Sequence, residues 1–284
     1  MEVVLRAVGL GVLVLLAGTL PRNALFVTNL KLWPGAPWSV PLIAAWIALF
    51  WRYVGGWGPP AETAAARRES LRAHPVSGRE WAWALVAGVL GIVALVFALR
   101  VLNRWVALPA QDASVFAGVP AITVIPLLIL SAAVAGVVEE AAFRGYMQGP
   151  IERKYGLPVA ILITGTMFAV AHLDFTPVLW PYYVAVAALY GAITQRCGSI
   201  LPAVVLHTVG NLYSNFDLWL HGRSDWQAPA NGPALVWKTG PDVAFWSAVA
   251  GFGLAALATL AAFARLAAVS SSRRSASRSG PSSS

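Results

Sequence analysis

Two carboxylates and a guanidinium interrupt an apolar run at Val137-Val138-Glu139-Glu140-Ala141-Ala142-Phe143-Arg144-Gly145. Two later apolar runs carry His172 and the pair His207 and Asn211. Carboxylate and imidazole facing each other at one depth are what water activation requires. Spacing sorts them further. Glu140 and Arg144 stand four apart, share a helix face and can form an internal ion pair. Glu139 is turned by about 100° from Glu140 and is free to face a cavity. His207 and Asn211 repeat the spacing of four, as do Phe168 and His172. Glu139 and His172 lie equally far in sequence from the turn at Tyr155-Gly156. Antiparallel helices of equal rise therefore place them at one depth, roughly 25 Å from that turn.

Groups of this kind need a scaffold that tolerates them at membrane depth. Hydrophobic residues make up 58% of the 284 and charged residues 11%, against roughly 25% charged in a soluble domain. The chain reads as an integral membrane protein. Eight apolar stretches approach the roughly 20 residues that cross a bilayer: Val3–Leu20, Val40–Val54, Trp81–Leu102, Val119–Gln148, Leu157–Leu173, Trp180–Thr194, Ile200–Leu220 and Val243–Ala268. The expected fold is an all-α polytopic bundle of about eight transmembrane helices surrounding an intramembrane polar cavity. Residues 1–269 form this bundle, with a motif-bearing core at 119–220 and a charged cytoplasmic loop at 55–80 holding a short helix at Ala61–Ala73. Residues 270–284, rich in Ser and Arg, read as a disordered basic tail that touches anionic lipid. Buried carboxylates and imidazoles are costly in lipid, so the six polar residues should meet in the bundle interior.

The net charge of +8 does not signal nucleic-acid binding, because the arginines are scattered between apolar runs instead of lining one face. They signal topology instead. Arg6, Arg52, Arg67, Arg68, Arg72, Arg79, Arg153, Lys154, Arg196 and the tail arginines fall on segments that share a side with the N-terminus, while Arg22, Lys31, Arg104, Arg223 and Lys238 fall on the other. That bias places both termini in the cytoplasm. Short loops and abundant Ala, Gly and Arg suggest the inner membrane of a bacterium. Cys197 is the sole cysteine, so no intramolecular disulfide forms and no site rests on several thiolates.

The order Glu-Glu-x-x-x-Arg, Phe-x-x-x-His, His-x-x-x-Asn on successive apolar spans resembles the CPBP family of type II CAAX prenyl endopeptidases and bacteriocin-processing or immunity proteins. Glu139, Glu140 and Arg144, Phe168 and His172, and His207 and Asn211 carry the resemblance, with Phe143-Arg144-Gly145-Tyr146 continuing it. It implies an intramembrane endopeptidase acting on a membrane-anchored or exported protein or peptide. Glu139 and His172 would activate water, His207 and Asn211 would form the oxyanion hole, and Glu140 with Arg144 would hold the helix in register. Phe143 and Phe168 are the expected substrate-binding residues. A zinc ion on Glu139, His172 and His207 is one version, with water as fourth ligand. The absence of His-Glu-x-x-His favours a metal-free glutamate mechanism. A proton- or ion-coupled transporter using the same groups as a relay, and a non-catalytic immunity or scaffold member of the family, are the other readings.

Overall fold

Lipid offers no hydrogen bonds, so each apolar stretch must satisfy its own backbone and does so as a helix. The computed structural model describes residues 1–108, 114–172, 177–222 and 234–278, and every regular element among them is helical. In chain order these are α1 (Glu2–Leu32), α2 (Ser39–Val54), α3 (Ala64–Leu71), α4 (Gly78–Trp105), α5 (Ala121–Glu139), a π-helical segment (Glu140–Gln148), α6 (Gly149–Tyr155), α7 (Leu157–Ala171), α8 (Trp180–Cys197), α9 (Leu201–His221), α10 (Val236–Thr239) and α11 (Val243–Arg278). Each of the eight apolar stretches thus coincides with a helix over its described residues; Leu173, at the end of the fifth, lies outside them. Four are long and apolar enough to cross a membrane, namely α1, α4, the continuous rod Ala121–Tyr155 and α11, while α2 and α7 are shorter apolar helices. The protein is an integral membrane protein of all-α architecture.

Helix ends agree with the sequence except at three places. α1 does not stop at Leu20: it runs through Pro21 to Leu32, because a proline in a membrane helix loses one hydrogen bond but not the surrounding apolar packing. Arg22 is therefore a helical residue, not a loop cation. The fourth stretch is not uniformly α-helical, since its nine residues from Glu140 to Gln148 wind as a π-helix. At the C-terminus α11 continues past Ser270 to Arg278, so helix extends into the segment that composition marks as tail; residues 279–284 lie outside the described residues.

The faces of the bundle follow from the turns. Met1 donates its ammonium to Tyr155 Oη at 3.2 Å, Ile200 N–H donates to Arg72 O at 3.0 Å, and Arg72 pairs with Glu152 at 3.2 Å. The N-terminus, the 55–77 loop and the turns at Tyr155 and Ile200 hence share one face. Here α3 is strapped down by Arg67, which donates to the carbonyls of Tyr53, Gly58 and Pro60, while Leu71 is fully buried. These are the segments where Arg and Lys are concentrated.

Close approach positions the site. α1 runs antiparallel to the central rod, with Gly11 against Met147 and Gly18 against Val138. A Cβ added at Gly18 would lie 2.5 Å from the Val138 methyls, and one at Gly136 would lie 2.3 Å from Thr208 Oγ1 on α9. Small residues let the backbones meet without a hydrophobic driving force between helices. Glycine therefore brings α1 and α9 against the turns that carry Glu139 and Glu140.

Candidate active site

The rod from Ala121 to Tyr155 supplies Glu139, Glu140 and Arg144 where it changes from α to π winding. A π-helical turn is rare and frequent at functional sites, because it takes in extra residues per turn and re-aims side chains. Glu140 and Arg144 are entirely buried, and Arg144 Nη1 donates to Glu140 Oε1 at 3.0 Å. The expected ion pair forms. Arg144 is enclosed by aromatic faces, its Cζ lying 5.2 Å from the ring centroids of both Phe168 and Tyr190 and 6.0 Å from that of Phe143. Such stacking suits a desolvated guanidinium.

Phe143 and Phe168 are only 2% and 3% exposed and meet edge to face at 5.2 Å. In this structure they pack around Arg144, behind the polar groups, and do not present a surface to a substrate. The reason is that Arg144 needs the cover.

Glu140 has a second partner. His207 Nδ1 lies 2.7 Å from Glu140 Oε1. A carboxylate can only accept, so Nδ1 carries the proton and Nε2 is the nitrogen left for chemistry. That Nε2 is 3.6 Å from Glu139 Oε2, an atom that is buried and makes no hydrogen bond. Tyr190 stacks on the imidazole at 5.2 Å with planes 14° apart. Held by a carboxylate on one nitrogen and a ring on its face, His207 is oriented as a triad histidine is oriented by its acid. Glu140 is thus more than the counter-ion of Arg144.

His172 caps the end of α7. Its Nδ1–H donates to Phe168 O at 2.8 Å, since a carbonyl only accepts, and this leaves Nε2 with its lone pair. The ring packs against Phe168 and Tyr183 at 4.4 and 4.8 Å. Phe168 in turn lies 6.2 Å from the His207 ring, so one aromatic cluster carries both imidazoles. The imidazole in ion-pair range of Glu139 is nevertheless that of His207 and not that of His172. Equal depth along the α5–α7 hairpin presumed α-helical rise throughout, and the π-helical segment breaks that assumption. Asn211 is half-buried one turn beyond His207 on α9.

Among the described residues no three His, Cys, Asp or Glu side chains converge as a metal would need. Glu139, His172 and His207 are not so gathered. This geometry does not fit a three-ligand zinc site, and no chemical step is derived through a metal.

Two neighbours of the site were not found from the sequence. Tyr190 belongs to no motif, and a lone tyrosine in an apolar span gives no signal. Arg22 follows the first apolar stretch, which ends at Leu20, and so counts with the outer segments. In the structure its Nη1 donates to Ser131 Oγ at 3.3 Å.

Residues 121–213 match the family model described as Type II CAAX prenyl endopeptidase Rce1-like. The match contains all the motif residues and leaves α1 to α4 and α11 outside it. No curated protein and no solved structure matches the chain. Through this segment, about a third of the 284 residues, the chain is similar to a family of CAAX-type intramembrane proteases.

Proposed function

We propose that this chain is an intramembrane endopeptidase of the metal-free, glutamate-dependent kind, as its resemblance to the CPBP family suggests, hydrolysing a peptide bond in a membrane-anchored or exported protein. The single observation that carries the reading is the chain Arg144–Glu140–His207–Glu139, whose ion-pair and imidazole contacts run from 2.7 to 3.6 Å. A transporter relay has no need of a histidine locked in one tautomer.

In the proposed reaction a water oxygen attacks the scissile carbonyl carbon while Glu139 takes the water proton. His172, whose Nε2 has a free lone pair, accepts the second water hydrogen as a hydrogen bond and aims the oxygen. His207 Nε2 faces the Glu139 carboxylate at 3.6 Å, a charge that favours a proton on that nitrogen. When it carries that proton it donates to the oxyanion, with the Asn211 amide as second donor. Each such donor is worth up to about 3–4 kcal/mol of barrier. The C–N bond then breaks and the proton held by Glu139 passes to the leaving amine.

Access comes from the face opposite the Tyr155 turn. α7 has 15 residues, about 22 Å of helix, and falls short of a hydrocarbon core roughly 30 Å thick. His172 at its end is exposed, unlike the motif residues behind it. With the Arg-rich face in the cytoplasm of a bacterium, His172 lies toward the outer side and the substrate is an exported or anchored protein. A cysteine at Tyr155 tests the orientation, since labelling of Tyr155→Cys by an impermeant reagent from outside would reverse it. Glu139→Gln and His172→Ala test the chemistry. Both should abolish cleavage of an acyl-anchored reporter peptide while leaving expression and thermal unfolding intact; retained cleavage in both would refute the proposed roles.

A further inference from the structure

The strongest unexplained group is Arg22, a cation contributed by α1 from outside the family-matched segment. α1 runs antiparallel to α5, and successive contacts fix the register: Gly11 with Met147, Gly18 with Val138, Arg22 with Ser131. Arg22 thus sits beyond Glu139 on the side away from the Tyr155 turn. Ser131 and Glu139 are eight residues apart, at most about 12 Å along the helix axis, and a side chain leaning toward the helix N-terminus narrows the gap between Glu139 and Arg22. Of the five guanidinium N–H groups, one donates to Ser131 Oγ, while Nε is buried with no hydrogen-bond partner. A buried N–H left unpaired costs about 1–3 kcal/mol, and ionisable groups at this depth default to a functional role. Nothing in the ion-pair chain from Arg144 to Glu139 uses these free donors.

We propose that Arg22 is a specificity-determining residue that binds a carboxylate of the peptide substrate on one side of the scissile bond. The guanidinium presents a flat fork that matches a carboxylate, and the one side chain it already binds, Ser131, leaves its charge uncompensated by any direct ion pair. At about 3.3–3.6 Å per extended residue, the gap from Glu139 spans two or three residues of substrate. The inference rests on the peptidase reading for the nature of its ligand. The carboxylate is the chain terminus or an acidic side chain, and the experiment separates the two.

The test uses the full-length protein in nanodiscs and an acyl-anchored apolar reporter peptide in three forms: free acid, C-terminal amide, and amide with one glutamate near the C-terminus. The free acid should be cleaved with a kcat/KM roughly tenfold or more above that of the plain amide, as expected for a charged hydrogen bond. Arg22→Gln should erase the difference, and Arg22→Lys should restore it in part. Equal gain from the glutamate-bearing amide assigns the carboxylate to a side chain; no gain assigns it to the terminus. Discrimination that survives Arg22→Gln, or is absent from the native protein, overturns the inference and leaves the peptidase reading standing. The converse failure is separable in the Glu139→Gln background, where turnover is removed by design. There the free-acid peptide should raise the unfolding temperature more than its amide does, and adding Arg22→Gln should cancel that gain; equal effects of acid and amide refute the role of Arg22. Ser131→Ala guards against a merely structural arginine. If Arg22 only braces α1 on α5, Ser131→Ala and Arg22→Gln lower the unfolding temperature alike and neither alters the preference for a carboxylate.

Discussion

Replacing Glu140 with glutamine removes one charge and changes little else in volume, so its effects isolate what the carboxylate does. Both Glu140 and Arg144 are fully buried, and breaking a buried pair by removing one partner costs about 3–5 kcal/mol. The glutamine oxygen can still accept from Arg144 Nη1, and the rings of Phe168 and Tyr190 remain at 5.2 Å. The loss of stability should therefore fall at the lower end, about 3 kcal/mol. The catalytic loss should be larger than stability explains. An amide can offer an N–H to His207 Nδ1, which permits the other imidazole tautomer, and the analogous change in a serine protease triad costs about 10⁴-fold in kcat. A fall of about 10²–10⁴ in kcat with little change in KM is expected here. The assay is cleavage of an acyl-anchored reporter by purified protein, beside thermal unfolding in micelles followed by tryptophan fluorescence. The double replacement Glu140→Met with Arg144→Met is the decisive companion. Swapping a buried pair for apolar residues of similar volume is often neutral, so stability should return toward the native value. Activity should not return, because His207 loses its orienting acid. A stable double variant with native turnover would refute the second role given to Glu140.

Gly136→Ala should destabilise the bundle by about 1–3 kcal/mol, because the new Cβ would meet Thr208 Oγ1 at 2.3 Å and α9 backbone atoms at 3.0 Å; it should also slow turnover by displacing His207, measured as kcat beside the unfolding temperature. Tyr190→Leu, which removes the ring stacked on His207 and beside Arg144, should lower kcat more than it raises KM. Asp242, at the start of α11, has its carboxyl held below the ordinary value by the hydrogen bond from Arg104 and then by that from the Phe245 N–H. A carboxyl lowered in the folded state stabilises above its unfolded pKa and loses that contribution as pH falls through the folded value. Acidification from pH 5 toward pH 2 should lower the unfolding temperature, and Asp242→Asn should remove the Asp242 share of that slope.

Periodicity and spacing were enough for the helices and for the Glu140–Arg144 pair, because a helix fixes which residues four apart can meet. Membrane cost was enough to gather Glu139, Glu140, Arg144 and His207, since no other environment would bear them. The loop at 55–80 with its short helix, and the clustering of cations on one face, were equally legible. Two matters were not. The π winding after Glu139 leaves no mark in residue types, yet it decides that the imidazole facing Glu139 belongs to His207. The burial of Phe143 and Phe168 depends on Arg144 needing an aromatic cover from three helices at once.

Arg22 shows the division most plainly. Composition places it past the apolar run that ends at Leu20 and outside the bilayer, because hydropathy marks where an apolar run stops but not how far its helix continues. Only tertiary structure decides that, for the contacts of Gly11 with Met147 and Gly18 with Val138 are long-range. They carry α1 past Pro21 and bring a cation from the first helix to the edge of the site. The sequence by itself determined which groups are too costly to leave alone in lipid; the fold determined which partner each of them meets.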